Sequence, residues 1–299
     1  MGRSLHLSAI TAAALWALPA VVFSATATAA ATVTTAAAGV AKTAEEVIAR
    51  NAAARGGLEA WRHVERVVWL GHVEPAVQTE EVMLPKFVMH LQRPNRTRFE
   101  IKSKAASFTR IFDGGHGWRE HNGKDGRPVV TPFSKSETDY AKDDQVIDGL
   151  LLDAASKGVK VSLDGLDTIE GQRAYRLSLK LSSGAERKAW VDVKTNLDIR
   201  YDRPSGTGTD PNRPVPTFYR EWSAEDGLVM PHVIETGIAQ ASPSGVELPR
   251  RDRVVIEHVI INPVLDASTF AMPASPMRRN TKQQIHIDTG APNITPLSR

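Results

Sequence analysis

The nine histidines have the most obvious chemical potential in this chain, and their spacing does not favour a metal centre. No His-x-x-x-His or His-Glu-x-x-His pattern occurs, and His116 and His121 stand on either side of a predicted hairpin strand. His116 is surrounded by glycines, so a turn residue is a better interpretation than a ligand. The sequence predicts no metal site.

The acidic residues give no stronger sign of catalysis. Asp143, Asp144 and Asp148 fall in a predicted helical segment, where a solvated face would carry them. Asp164 and Asp167 lack the further oxygen ligands of a calcium loop. No Gly-x-Ser-x-Gly elbow, Walker loop or dinucleotide fingerprint is present. We predict no catalytic residue and no cofactor; a hydrolase with scattered catalytic groups stays open as a less favoured alternative.

Composition narrows the function classes further. The chain has no cysteine, which excludes disulfides, thiol catalysis, thiolate metal sites and a lipidated N-terminal cysteine. Its 37 Lys and Arg are interspersed with 34 Asp and Glu, so no electrostatic case for nucleic-acid binding arises.

The N-terminus has the layout of an export signal. Arg3 precedes an almost wholly apolar run, Leu7 to Phe23, and small residues with Ala-x-Ala exits follow. We predict a cleaved signal over 1–30, a disordered spacer over 31–42, a periplasmic location and no stable membrane anchor after cleavage. An uncleaved anchor is less favoured, because the run contains Pro19 and has no cationic stop behind it.

Helix and strand signals then follow in order. Thr43 and Glu46 form a capping box that opens a helix, and Gly56-Gly57 ends it. Alternating patterns predict twelve strands, with one or two helices over 134–156 between the fifth and sixth. The strands are 66–73, 82–92, 97–103, 108–112, 117–121, 160–163, 174–181, 187–193, 197–202, 217–222, 232–238 and 252–261.

Hairpin turns without intervening helices indicate an antiparallel sheet. We therefore predict a β-dominated α+β fold, a strongly curved antiparallel sheet or half-barrel with an N-terminal helix and a central helical lid. It occupies a single domain over 43–273, followed by a loose C-terminal tail over 274–299.

Five stretches carry a family resemblance in the same order. They are 54–61 (ARGGLEAW), 112–118 (FDGGHGW), 171–177 with 189–197, 226–231 (DGLVMP) and 262–266 (NPVLD) followed by Phe270 and Pro273. Together they resemble the periplasmic lipoprotein-carrier, or LolA-like, superfamily, which includes outer-membrane lipoprotein-sorting proteins and a periplasmic sensor domain. The resemblance implies a half-barrel, a helical lid and a hydrophobic cavity that shields acyl chains.

We therefore hypothesise a soluble periplasmic carrier, not an enzyme, that shields a lipid or the acyl chains of a lipoprotein in a hydrophobic cavity. Inner- or outer-membrane receptor proteins are further candidate partners. The predicted cavity wall consists of Trp69, Phe87, Met89, Leu91, Phe99, Ile101, Leu177, Leu179, Trp190 and Trp222. The predicted lid residues are Val146, Ile147, Leu150 and Leu151. For any single residue, plain core packing is an equal alternative. A regulatory sensor of lipids or of a membrane-bound regulator, and a purely structural envelope domain, also remain open.

Overall fold

The computed structural model describes residues 39–75, 83–104, 107–123, 125–144, 147–204, 213–240 and 248–273. Within these ranges there are three helices: α1 (Ala44–Ala54), α2 (Leu58–Arg62) and α3 (Lys135–Asp143). The Thr43 hydroxyl accepts the Glu46 N–H at the start of α1, as predicted, while the Glu46 carboxylate accepts the Lys42 N–H. Left-handed Gly56 and Gly57 end the helix, with φ of 98° and 94°.

The strands of the described chain form one antiparallel sheet of 13 members. In chain order they are β1 (Arg66–Glu74), β2 (Lys86–Gln92), β3 (Arg96–Lys102), β4 (Ser107–Phe112), β5 (Gly117–Asn122), β6 (Pro128–Pro132), β7 (Lys160–Ile169), β8 (Gln172–Lys180), β9 (Glu186–Asp192), β10 (Asp198–Pro204), β11 (Pro214–Glu225), β12 (Leu228–Gln240) and β13 (Leu248–Ile261). The sheet and its helices lie in one compact unit that begins at Val40.

The sheet consists of two meanders joined along one pair of strands. Its order is β6-β5-β4-β3-β2-β1-β13-β12-β11-β10-β9-β8-β7, so β1 meets β13 in the middle. Strands β6 and β7 are consecutive in the chain but lie at opposite edges. The chain between them, residues 133–159, must therefore cross from one edge to the other. We call it the crossing segment; its residues 145 and 146 are outside the described chain.

Contacts at the two ends of α3 require a strongly curved sheet. Glu137 forms ion pairs with β4 and β5, and Asp143 hydrogen bonds to Ser183 in the turn between β8 and β9. Strands β4 and β9 are eight steps apart in the sheet, about 38 Å if the sheet were flat. The six-residue interval between Glu137 and Asp143 covers only about 9 Å of helix. The two ends of the sheet must therefore bend toward each other, and the predicted half-barrel is confirmed.

The helices and the crossing segment pack on one face of the sheet, which we call the inner face. Two apolar clusters fill much of it. The first joins Ala52 of α1 and Trp61 of α2 to strands β1–β3, and the second joins Val47 of α1 to strands β8 and β9. Burial of these side chains is the main force that holds the helices on the sheet.

Three sequence predictions need correction. Strand β6 was not predicted, because Pro128 and Pro132 bound it; proline is tolerated here since β6 is an edge strand. The strand predicted from Val82 begins at Lys86, and Val82 itself is outside the described residues. Of the predicted helices over 134–156, only α3 forms; residues 147–158 are successive turns, with positive φ at Gly149 and Asp153.

Candidate functional site

Most of the predicted wall residues lie on the inner face. In the first half of the sheet, cross-strand pairing aligns Trp69 with Met89 and Met89 with Phe99, and it aligns Phe87 with Ile101. All of these belong to or pack against the first apolar cluster, as does Leu91: the set is Trp69, Phe87, Met89, Leu91, Phe99 and Ile101. Leu177 and Leu179 belong to the second cluster, and each is almost completely buried.

Trp190 does not lie with the others. It pairs with Arg176, whereas its neighbour Ala189 pairs with Leu177. Since adjacent residues of a strand point to opposite faces, Trp190 is on the outer face. The Arg200 guanidinium lies 4.4 Å from the centre of its ring, and its indole N–H donates to Asp167. Trp190 is therefore removed from the predicted wall.

The outer face in this region is covered by ion pairs rather than by helices. Arg220 and Arg251 both contact Glu235 and Glu170, and the Arg251 guanidinium lies 3.7 Å from the centre of the Phe218 ring. Such half-exposed networks stabilise a sheet face without a second layer.

Three of the four predicted lid residues lie on the inner face, divided between the two clusters. Ile147 packs in the first cluster, and Leu150 and Leu151 pack in the second. Val146 is outside the described residues. The described residues of the crossing segment thus pack on the inner face, and they bury many of the apolar side chains there.

Charged groups hold the crossing segment in place. Asp148, buried, contacts Arg93 at 3.0 Å and Lys157 at 2.8 Å. The Arg55 guanidinium, also buried, donates to the Asp148 carbonyl at 2.9 Å and stacks near the rings of Trp61 and Trp222. Burial lowers the pKa of Arg55, while Asp198 and Asp148 partly offset this effect. Arg55 connects α1, the crossing segment and the wall residue Trp222.

A second ionic contact fixes α3. The buried Glu137 carboxylate lies 3.2 Å from Arg110 on β4 and 3.4 Å from Arg119 on β5. It also accepts the Ser134 N–H, which completes a capping box at the start of the helix. Burial alone would raise the pKa of Glu137; Arg110, Ser134 and Arg119 together bring it below its ordinary value. The group is ionised at neutral pH and binds α3 to the sheet.

Several inner-face side chains keep accessible surface although they stand beneath the helical layer. Met89, Phe99, Ile234 and Val254 are only half-buried, and all four pack at the margin of the first cluster. Their apolar surface is therefore only partly removed from water. On the neighbouring strand β11, Tyr219 stands opposite Ile234, so a tyrosine side chain continues the same face.

An open groove of about 520 Å³ lies elsewhere, along the ends of β7–β10. Its lining includes Lys160, Ser178, Lys180 and Lys188, which are exposed or half-buried. Ser178 and Lys188 pair across the strands on the same face as Trp190, whereas Leu179, Arg187 and Arg203 of the lining belong to the other face. The groove therefore meets side chains of both faces, and its lining includes one predicted wall residue, Leu179.

Within the described ranges, no group of three or more His, Asp or Glu residues converges as a metal site. The helices of the same ranges include none with the length and apolarity needed to cross a membrane.

The fold defines the class of protein as a curved antiparallel half-barrel whose inner face is covered by a crossing segment. Solved structures with a similar fold include a LolA superfamily protein from Nitrosomonas europaea (13% identity, 78% of this chain and 99% of that one, TM-score 0.48). A DUF1329 family protein from Desulfovibrio piger is also similar (12%, 77% and 98%, 0.46). So is a domain described as an outer membrane lipoprotein-sorting protein from Vibrio parahaemolyticus (8%, 76% and 97%, 0.45).

The LolA-like fold predicted from the sequence is confirmed by these structures. The likeness concerns the fold alone. No family model and no curated protein matches the chain.

Proposed function

We propose that this protein binds and carries a lipid, or the acyl chains of a lipidated protein, against the inner face of its sheet. The observation that carries the proposal is a set of four half-buried apolar side chains on the inner face, which form two cross-strand pairs, Met89 with Phe99 and Ile234 with Val254. We call the two pairs together the apolar row. Each buried methylene of an acyl chain contributes about 0.8 kcal/mol, so a chain lying over these residues would bind without any catalytic group.

The crossing segment provides the means of uptake and release. It is held on the sheet by apolar packing of Ile147, Leu150 and Leu151 together with the ion pairs of Asp148, so opening would break both kinds of contact. Opening it would expose the wall, and closing it would shield the ligand from water. We propose binding and transfer, not catalysis. With the signal-like residues 1–30, this supports a role in the periplasm, with membrane proteins that supply and accept the cargo.

The test measures the mass of the native protein and its affinity for a fluorescent fatty acid. Native mass spectrometry of the protein purified from its own envelope should reveal co-purified lipid, and a fluorescent fatty acid should bind. Met89→Gln, which places an amide on the wall, should weaken probe binding about tenfold, because an unpaired buried amide costs about 1–3 kcal/mol.

Val88→Gln is the matched control, since Val88 is the strand neighbour of Met89 and faces the other side of the sheet. It should leave probe affinity within about twofold of the parent. A lipid-free mass together with no response to the probe in the unmodified protein would rule out the carrier function.

A further inference from the structure

Three tyrosines line the inner face next to the apolar row. Tyr140 is on α3, Tyr201 on β10 and Tyr219 on β11, and each is half-buried. Tyr201 pairs with Thr217, two residues before Tyr219, so these two phenols are diagonal neighbours on one face of the sheet. Burial raises the pKa of all three tyrosines, and Asp144 raises it further. They stay protonated at neutral pH. None of their hydroxyls forms a hydrogen bond with the described part of the chain. They are free to donate to a ligand.

Arginines surround the same space, and most of them have carboxylate partners. Arg110 and Arg119 share Glu137, and Arg187 lies 4.0 Å from Asp143. These guanidinium groups stand at the two ends of α3. Their charges are therefore largely neutralised within the protein.

Arg203 of β10 is the exception among the described residues. It follows Tyr201 by two residues on β10, so the two side chains share one face, and the β9–β10 register places it beside Arg187, which lies 4.0 Å from Asp143 at the end of α3. Its guanidinium also lowers the pKa of Tyr140, which burial and Asp144 raise. It also acts on Arg110 as a like charge. The Arg203 Nη2 atom is buried and has no hydrogen-bond partner in the described chain. A buried charged donor without a partner is costly, and this favours an anion that would complete it.

We propose that the interior beside α3 binds the anionic head group of an amphiphilic cargo, a carboxylate or a phosphate, through Arg203 and the hydroxyls of Tyr140 and Tyr201. The acyl chain would then extend along the apolar row that ends at Ile234, which pairs with Tyr219. This inference rests on the proposed function and specifies its ligand class: an anionic rather than a neutral lipid.

The ligands for the test share one chain length and differ in the head group. Dodecanoate, dodecyl phosphate and neutral dodecanol are titrated by displacement of a bound fluorescent probe, and inorganic phosphate is titrated alone. We expect the two anionic amphiphiles to bind at least about tenfold more tightly than dodecanol, because a charged head group forms stronger hydrogen bonds with Arg203 and the tyrosine hydroxyls.

Arg203→Gln should remove that preference, and Tyr140→Phe should reduce it, while the affinity for dodecanol changes by less than about twofold. Arg173→Gln is the control, since Arg173 is an exposed arginine of β8. Thermal unfolding followed by circular dichroism identifies variants that fold, and Tyr140→Phe keeps the test valid if Arg203→Gln does not.

Each outcome separates the two proposals. Equal affinity for dodecanoate and dodecanol in the unmodified protein would overturn the head-group site and leave the carrier function intact. Tight binding of inorganic phosphate that depends on Arg203 would show a free-anion site instead. If dodecanol and the amphiphilic anions all fail to bind, the carrier function itself fails.

Discussion

At the scale of single residues, the most consequential group is the Glu137 carboxylate. It is almost fully buried and faces two guanidinium groups, Arg110 and Arg119, that would otherwise repel each other. Burial of charge is costly by itself, and the pair of arginines offsets that cost. Glu137 therefore determines whether α3 stays on the sheet.

Glu137→Gln should destabilise the protein by about 2–3 kcal/mol at pH 7, because it leaves two half-buried arginines without their buried counter-charge. The pKa of Glu137 is lowered on folding, so its ionisation stabilises the folded protein above the ordinary pKa of 4.5. That contribution is lost as the pH falls through the lowered pKa. Urea unfolding at several pH values gives the free energy of unfolding of the parent and of the variant. The difference between the two should be constant from pH 7 to about 5 and should shrink at lower pH.

Asp139→Asn on the exposed side of α3 is the control, since Asp139 pairs only with exposed Lys135 in the described chain. It should cost less than about 1 kcal/mol. A Glu137→Gln penalty that is equally large at pH 3 would show that shape, not charge, is what the residue contributes.

The residues show what a sequence can and cannot reveal about the site. Met89 and Phe99 could be placed on one face because their strands alternate clearly. Trp190 could not, because apolar neighbours on both sides, Ala189 and Val191, hide which face is inner. Arg55 precedes two glycines, so it resembles an ordinary exposed cation at a helix end. Only the tertiary structure shows that it is buried under the crossing segment.

At the scale of elements, α3 acts as a bridge between the two ends of the sheet. Its first turn is held by β4 and β5 through Glu137, and its last turn is held by Ser183 through Asp143. The sequence indicated a helix here but not its two anchors, because the partner residues on β4, on β5 and in the β8–β9 turn are distant in the chain. A helix fixed at both ends by polar contacts is suited to reversible opening.

A disulfide across this bridge should block ligand uptake. The chain contains no cysteine, so Asp143→Cys combined with Ser183→Cys introduces the only two thiols. The native side chains are in hydrogen-bond contact, at 2.8 Å, which brings the two positions within reach of a crosslink. Oxidised protein should bind the fluorescent fatty acid at least about tenfold more slowly than reduced protein, if opening of α3 is required.

The double variant Ser162→Cys and Ser178→Cys is the control, because these residues pair across β7 and β8 away from the bridge. Its oxidation should leave the uptake rate unchanged. Equal uptake by the oxidised and reduced bridge variant would show that ligand enters without movement of α3.

At the scale of the whole molecule, one strand pair joins the two meanders. β1, near the start of the domain, pairs with β13, near its end, and this pair is what joins the two meanders into one sheet. Local patterns predicted the individual strands well, since each alternates within itself. They could not predict this pairing, because it joins residues nearly two hundred positions apart.

Gly71 lies at the irregularity of this junction, and its small size is required. A Cβ atom there would stand 1.9 Å from the Val255 carbonyl oxygen, which belongs to the backbone and cannot turn away. Gly71→Ala should therefore destabilise the protein by about 2–4 kcal/mol, by overpacking at a close approach of two strands. The matched control is Gly115→Ala in the β4–β5 turn, where the nearest atom would be 3.7 Å away and the cost should be small.

The same variant tests whether the two meanders unfold together. Tryptophans are present in both, with Trp69 and Trp118 in the first and Trp190 and Trp222 in the second. If β1 and β13 make the sheet one cooperative unit, urea unfolding of Gly71→Ala should shift the circular dichroism and tryptophan fluorescence transitions equally. Two separated transitions would mean that each meander is stable alone. In that case the curvature imposed by α3, rather than the β1–β13 junction, would be what holds the inner face together.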